Sequence, residues 1–77
     1  MSEFRFEIED AIGILDKKGT ETVELNLISF GNHPAMYDLR RWQTDPATGE
    51  RRMLKGVRMS EDAVKTLYEL LKARFHK

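Results

Sequence analysis

The hydrophobic pattern of the sequence changes its period once, at Ser60. Before this residue, four segments alternate apolar and polar side chains with the period of two that a half-buried strand shows. After it, apolar residues recur at spacings of three and four over residues 61–75, which predicts an amphipathic helix of about four turns. The 77 residues therefore predict one domain, 1–77, of the α+β class: a four-stranded antiparallel β-meander followed by one C-terminal α-helix.

Turn-forming residues separate the four strand segments. The alternation begins at Phe4 and predicts strands over the ranges 4–14, 21–30, 35–43 and 50–59, joined by turns at 16–19, 31–34 and 45–49. Gly13 interrupts the first strand and predicts a β-bulge there. Ser60 predicts the N-cap of the helix, because its hydroxyl can accept a hydrogen bond from a free backbone N–H of the first turn.

A chain of this length has a small core. It buries only about 60 to 65 percent of the surface that its unfolded form exposes, and it has no cysteine and hence no disulfide to support that core. We therefore expect a homodimer. The first fifteen residues carry five charges, which argues against a signal peptide or a membrane span. A cysteine-free chain fits a reducing compartment, so the expected location is the cytoplasm.

The net charge of zero conceals a gradient along the chain. Residues 1–30 contain seven acids and three bases, whereas residues 31–59 contain three acids and six bases. Arginine dominates the basic segment, and its planar guanidinium suits phosphate contact and stacking on flat groups. The six bases are Arg40, Arg41, Arg51, Arg52, Lys55 and Arg58.

One helix can cover only one face of a four-stranded sheet. We expect it to cover the face that carries Leu25, Leu27, Tyr37 and Leu39, which leaves the opposite face open. That opposite face carries Asn26, Ile28, Phe30, Asp38, Arg40 and Trp42. Aromatic rings beside guanidinium groups are suited to single-stranded nucleic acid, because bases stack on the rings and phosphates pair with the cations. Two structural alternatives are ordinary cross-strand packing on a solvated sheet and burial against a second subunit.

Several short stretches of the sequence, in this order and spacing, resemble a known family. They are Phe6-Glu7-Ile8, Glu24-Leu25-Asn26, Ser29-Phe30, the run from Tyr37 to Trp42, Asp45-Pro46, Lys55-Gly56-Val57 and Met59-Ser60-Glu61. The family is the single-stranded-DNA-binding domain of the eukaryotic transcriptional positive cofactor four, and especially its small bacterial relatives of the YdbC type. The resemblance implies a ββββα homodimer formed through the helices and last strands, with two curved sheets making a groove for single-stranded DNA.

The resemblance also implies the residues of a nucleic-acid site. By position these are Phe30, Arg40, Trp42 and Lys55, with Arg51 and Arg52 in the basic loop between the third and fourth strands. The predicted site also includes Arg58, which comes from the basic segment and not from the resemblance. Phe30 and Trp42 would stack on bases, and the cations would contact phosphates with little sequence preference. This chain departs from the family in the turn after the second strand, where it lacks the extra lysines and arginines. We expect a role in transcription regulation or DNA maintenance, with single-stranded DNA or RNA as the partner.

The site residues also have structural alternatives. Arg40 could pair with Asp38 two residues away, and Arg51, Arg52 and Arg58 could form a solvated edge that discourages aggregation. A different functional class is a protein-interaction module that uses the same aromatic and arginine face. The sequence shows no catalytic constellation, and His33 and His76 lack partners at ligand spacing. We therefore predict that the chain is not an enzyme and has no metal or cofactor.

Overall fold

The computed structural model describes residues 5–76 and has the architecture that the pattern predicts. Four strands form one antiparallel sheet in the order β1-β2-β3-β4, and a single helix follows them. The elements are β1 (Phe6–Lys18), β2 (Glu21–Phe30), β3 (Met36–Thr44), β4 (Arg51–Met59) and α1 (Glu61–Phe75). The predicted ββββα fold is confirmed. The predicted start of the first strand at Phe4 lies outside the described residues.

The first hairpin differs from the prediction. β1 continues through the polar residues that were predicted as a turn, and the reversal takes only Gly19 and Thr20. Lys18 pairs with Glu21 across the two strands, and Gly19 has a φ of 62°, a conformation that glycine adopts without steric cost. A strand end that is exposed on both faces accepts polar side chains, so the polarity of residues 16–18 did not mark a turn.

β1 is irregular along most of its length. Its register against β2 shifts three times, between Ile8 and Asp10, between Ala11 and Gly13, and between Ile14 and Asp16. The second shift lies beside Gly13, where the sequence predicts a bulge. Each extra residue bends a strand and increases its twist. Three such shifts in 13 residues bend this edge of the sheet strongly.

The sheet curls until its two ends approach each other. Trp42 pairs with Thr22 near the start of β2, and Phe30 lies eight residues further along that strand. A flat strand of that length would separate the two positions by about 26 Å. The ring of Phe6 nevertheless lies 6.2 Å from the ring of Phe30 and 5.9 Å from that of Trp42. The curled sheet therefore encloses one of its own faces.

The enclosed face is not the one that the sequence predicts. We call it the inner face; it carries Glu24, Asn26, Ile28, Phe30, Asp38, Arg40 and Trp42, and all but Arg40 are buried. The outer face carries Leu25, Leu27, Tyr37 and Leu39, which are only half-buried. The expectation of an open aromatic face is wrong. It assumed a flat sheet, in which only the face covered by the helix would be buried. Curling encloses the inner face, and the helix contacts only the β3 and β4 strands of the described sheet.

The pairing of β3 with β4 is also irregular. Arg40 pairs with Gly56 and Trp42 with Met53, so Leu54 and Lys55 together oppose the single residue Arg41. A Cβ atom at Gly56 would lie 2.1 Å from the Cβ of Arg40 and 2.9 Å from the backbone oxygen of Leu39. Only glycine permits this approach of the two strands.

The helix begins and ends with regular capping. The Ser60 hydroxyl accepts a hydrogen bond from the backbone N–H of Ala63 at 3.1 Å, and Glu61 and Asp62 lie in the first turn. None of the described helix residues is buried within the protomer. The helix contacts only β3 and β4, so its apolar stripe is left exposed. Among residues 5–76, no helix is long and apolar enough to cross a membrane.

Candidate nucleic-acid interface

Three rings form an aromatic cluster on the inner face: Phe6 of β1, Phe30 of β2 and Trp42 of β3. Phe6 lies between the other two and tilts by 40° to Phe30 and by 55° to Trp42, within the range of favourable aromatic pairs. Trp42 is 2% exposed and Phe30 8%, whereas Phe6 is 40% exposed. Of the three rings, only Phe6 offers substantial surface to a ligand.

Two arginines from β4 cover the buried rings. The guanidinium carbon of Arg51 lies 4.6 Å from the centre of the Trp42 ring, and that of Arg58 lies 4.3 Å from the centre of Phe30. Both distances fall in the range of cation–π contacts. We call Arg51 and Arg58 the ring-bound arginines. A base could reach the face of Trp42 or Phe30 that they cover only by displacing them.

A buried carboxylate holds Arg51 in place. Oε2 of Glu24 accepts a hydrogen bond from the Thr22 hydroxyl at 2.6 Å and another from Nη2 of Arg51. The Glu24 side chain is 8% exposed and that of Arg51 is 39% exposed. Because Glu24 and Arg51 come from strands that are not neighbours in the sheet, this ion pair spans β3.

Two free energies indicate whether a base would displace Arg51 from the Trp42 ring: the cost of breaking the Glu24–Arg51 ion pair and the gain from stacking one base. Removing one partner of a fully buried ion pair costs about 3–5 kcal/mol, whereas an exposed pair contributes about 0–1 kcal/mol; with Arg51 39% exposed and Glu24 8% exposed, this pair lies between the two. One stacked base contributes about 1–3 kcal/mol. Displacing Arg51 from Trp42 would therefore cost about as much as the stacked base contributes, whereas a base on the outer side of the guanidinium leaves the ion pair intact, so Arg51 is expected to stay in place when a ligand binds.

Arg40 is part of the folded interior. Its Nε and Nη2 each donate to a different oxygen of Asp38 at 2.5 Å, and Nη1 donates to the Leu54 backbone oxygen at 3.2 Å. Side-chain exposure is 14% for Arg40 and 0% for Asp38. The pair is not the weak surface contact considered from the sequence, because it is almost fully desolvated and uses the planar fork of arginine. All three guanidinium nitrogens are thereby bonded within the fold.

Two buried donors on the inner face are unbonded. Nδ2 of Asn26 and Nε1 of Trp42 have no hydrogen-bond partner among residues 5–76. Buried tryptophan usually satisfies its N–H. Ring packing and the guanidinium of Arg51, rather than a hydrogen bond, therefore hold Trp42.

The seven site residues predicted from the sequence do not form one surface. Phe30, Arg40, Trp42, Arg51 and Arg58 lie on the inner face, by their pairing and ring contacts. Arg52 pairs with Gln43 on the outer face, and Lys55 lies in the β4 bulge; both are exposed. The structure thus separates an inner group, of which only the ring-bound arginines are accessible, from two exposed cations beside it.

Phe6 is the accessible aromatic residue that the site prediction omitted. In the sequence it is only one apolar residue of an alternating strand. Its pairing with Phe30 places it on the inner face, and the curl brings it to Trp42. The antiparallel hairpin register could have suggested the first contact, but no local signal predicts the second.

Two surface grooves are lined in part by the aromatic cluster and by the cations beside it. One, of about 590 Å³, is lined by Arg5, Phe6, Glu7, Ser29, Gly31 and Asn32. The other, of about 490 Å³, is lined by Thr20, Gln43, Thr44, Asp45, Pro46, Glu50, Arg51 and Arg52. A ligand in the first groove contacts an exposed ring, and a ligand in the second contacts a ring-bound arginine and an exposed cation.

The two histidines lie in the turn after β2 and at the end of α1. The backbone N–H of His33 donates to the Phe30 oxygen at 3.0 Å in the turn after β2, and that of His76 donates to the Lys72 oxygen at 2.9 Å at the end of α1. Within the described part of the chain, no three His, Asp or Glu side chains are grouped so that they could hold a metal ion.

No protein-family model matches the chain, and no curated protein matches it with significant similarity. The candidate function is therefore argued from the geometry described above.

Proposed function

We propose that this protein is a homodimer that binds single-stranded nucleic acid with little sequence preference. The observation that carries the proposal is the aromatic cluster with an arginine over each buried ring and an exposed phenylalanine between them. Flat aromatic and guanidinium surfaces are what unpaired bases stack on. The resemblance to the positive cofactor four family supports the same function, and we infer a cytoplasmic role in transcription regulation or DNA maintenance.

Phosphate contact falls to the exposed cations near the cluster. Arg40 is held by Asp38, and Arg51 pairs with Glu24. Arg52 and Lys55 are exposed on or beside β4. Phosphate neutralisation releases counterions, so affinity falls as salt rises, with a slope of about −0.7 per phosphate contact for a single strand. We assign this electrostatic part of binding to Arg52 and Lys55.

The helix supports the homodimer. Tyr68, Leu71 and Phe75 are 59%, 47% and 72% exposed in the protomer, and Val57 on β4 is 58% exposed. Fully burying one such side chain contributes about 1.5–3 kcal/mol. The buried hydrophobic core of the described chain contains only Ile28, Phe30 and Trp42. In a dimer packed helix against helix, each protomer would bury the apolar stripe of the other. This would enlarge a core that is small for independent stability.

Binding can be tested by the fluorescence anisotropy of a labelled thymine oligonucleotide of about 20 bases at low salt. We expect saturable binding that weakens as the salt concentration rises. Unlabelled duplex DNA should be a poor competitor for the labelled single strand. Arg52→Ala and Lys55→Ala should each reduce affinity about threefold and lower the salt slope by about 0.7. Lys65→Ala is the matched control, because Lys65 is an exposed helix cation paired with Glu61 at 3.5 Å; it should leave both quantities unchanged.

Two outcomes would reject the proposal. One is the absence of binding at low salt with protein concentrations up to about 100 μM, the weak end of the usual range of non-specific dissociation constants even at physiological salt. The other is binding that does not respond to salt. Either would favour the protein-interaction module as the function of this surface. Parallel titrations with a uridine oligonucleotide of equal length distinguish DNA from RNA as the preferred strand.

A further inference from the structure

We propose that the bases stack on the guanidinium planes of Arg51 and Arg58 and not on the aromatic rings beneath them. This inference rests on the proposed function and specifies how the bases are held. Each contact would then have three layers: a buried ring, a guanidinium and a base. The rings would act as supports that fix the arginines, and the arginines would form the binding surface.

Exposure supports this order of layers. Trp42 and Phe30 are 2% and 8% exposed, so neither has a face free for a base. The Arg51 side chain is 39% exposed, and Arg58 is also exposed. Guanidinium groups stack on aromatic faces and also accept bases on their planes, so one arginine can contact a ring on one side and a base on the other.

The arginines are also fixed before a ligand binds. Glu24 accepts a hydrogen bond from Arg51 and is itself bonded by Thr22. Nη2 of Arg58 lies 3.7 Å from the sulfur of Met36 while its guanidinium lies over Phe30. A side chain that is already ordered loses little conformational entropy on binding. Because the charge of Arg51 is paired with Glu24, its contribution depends on its planar shape more than on its charge.

Arginine-to-lysine variants separate plane from charge. Arg51→Lys and Arg58→Lys keep the positive charge but remove the flat surface. We expect each to reduce affinity for the thymine oligonucleotide about fivefold to tenfold while leaving the salt slope unchanged. Arg52→Lys is the control, since Arg52 is assigned only to phosphate; its affinity should change less than twofold. Urea unfolding of each variant verifies that the sheet is intact.

Glu24→Gln provides a test whose direction differs between mechanisms. Glu24 is a positioning residue that acts through Arg51. If Arg51 contributes only charge, removing the nearby negative charge should raise affinity for an anionic strand. If Arg51 contributes an oriented plane, loosening its partner should lower affinity. We expect a decrease of about threefold or more at unchanged salt slope, and an increase would overturn the inference.

Trp42 is the single tryptophan and reports directly on the ring. With the guanidinium between ring and base, acrylamide should quench Trp42 equally weakly in the free and bound protein. If the base displaces Arg51, bound oligonucleotide should strongly quench the Trp42 emission. If the wild type binds the oligonucleotide and Arg51→Lys and Arg58→Lys bind it with unchanged affinity, this inference is overturned. The proposed function would still hold. Absence of wild-type binding would overturn both.

Discussion

The curled sheet and the helix differ in how regular they are and in how much they bury. The helix has a serine N-cap, acidic residues in its first turn and basic residues in its last turn, yet none of its described residues is buried. β1 has three register shifts and β4 has a bulge, yet the sheet contains the buried hydrophobic core of the described chain. Local regularity and contribution to the protomer core are therefore independent here.

The difference has a physical origin. A helix satisfies its backbone hydrogen bonds within itself, so its bounds are specified by local sequence, although a helix of 15 residues is marginal alone and gains most of its stability by packing its apolar face. A sheet encloses a face only if its strands bend, and bulges provide that bending at the expense of regular pairing. We therefore expect the largest losses of stability from changes on the inner face, and effects from the helix stripe only if a second copy covers it.

The largest effect is expected from Asp38→Ala on the inner face. It leaves the Arg40 guanidinium, whose side chain is 14% exposed, without its carboxylate, and should lower the free energy of unfolding by about 3–5 kcal/mol. Glu21→Ala is the control, because Glu21 pairs with Arg41 at 3.0 Å where both side chains are exposed; it should cost at most about 0.5 kcal/mol. Urea denaturation followed by circular dichroism measures both, and equal losses would contradict the comparison.

The next largest effect should come from Gly56→Ala. The new methyl group would overlap the Cβ of Arg40 and force β3 and β4 apart, so we expect a loss of about 3 kcal/mol. Gly13→Ala serves as the control, since a Cβ there meets no atom within 4 Å and should change stability by no more than about 0.5 kcal/mol. If the two variants unfold at the same urea concentration, β3 and β4 do not approach each other as described.

Leu71→Ala tests the helix stripe. Leu71 is 47% exposed in the protomer. If a second copy covers it, the variant should weaken association by about 2 kcal/mol for each protomer, and the urea midpoint of the wild type should rise with protein concentration. Sedimentation equilibrium of wild type, Leu71→Ala and Lys65→Ala measures this. A monomeric wild type would show that the stripe has a different partner or none.

The smallest effect should come from Ser60→Ala. It removes the hydrogen bond from the Ala63 N–H, and we expect a loss of about 1 kcal/mol. Ser60→Asp keeps an acceptor at the N-cap and should remain within a few tenths of a kcal/mol of the wild type. Thermal unfolding followed at a helix-sensitive wavelength compares the three proteins, and equal midpoints for alanine and aspartate would show that the cap contributes nothing.

Elements whose signals are local were predicted well. The bounds of β2 (Glu21–Phe30) and α1 (Glu61–Phe75) agree with the sequence pattern to the residue, as does the N-cap at Ser60. β1 was predicted too short because lysine and aspartate at an exposed strand end resemble a turn. The site prediction named the ring-bound arginines but could not give their geometry, which depends on contacts between β2, β3 and β4.

Gly56 illustrates the limit of reading function from a sequence pattern. Its place beside Lys55, a predicted phosphate contact, is compatible with close approach of the backbone to nucleic acid. In the structure the close neighbour is Arg40 on the adjacent strand. A glycine in a strand indicates a close approach, but the sequence does not say what approaches.

The sequence alone determined the order of the elements, the antiparallel meander and the amphipathic helix, because these depend on side-chain period and turn chemistry within a few residues. Only the tertiary structure decided which face of the sheet is enclosed. Both faces of β2 and β3 carry apolar side chains, so alternation does not distinguish inside from outside. The accumulated bending at the bulges distinguishes the two faces. It brings Phe6 onto Phe30 and Trp42, and it buries Asp38 and Arg40 as a pair.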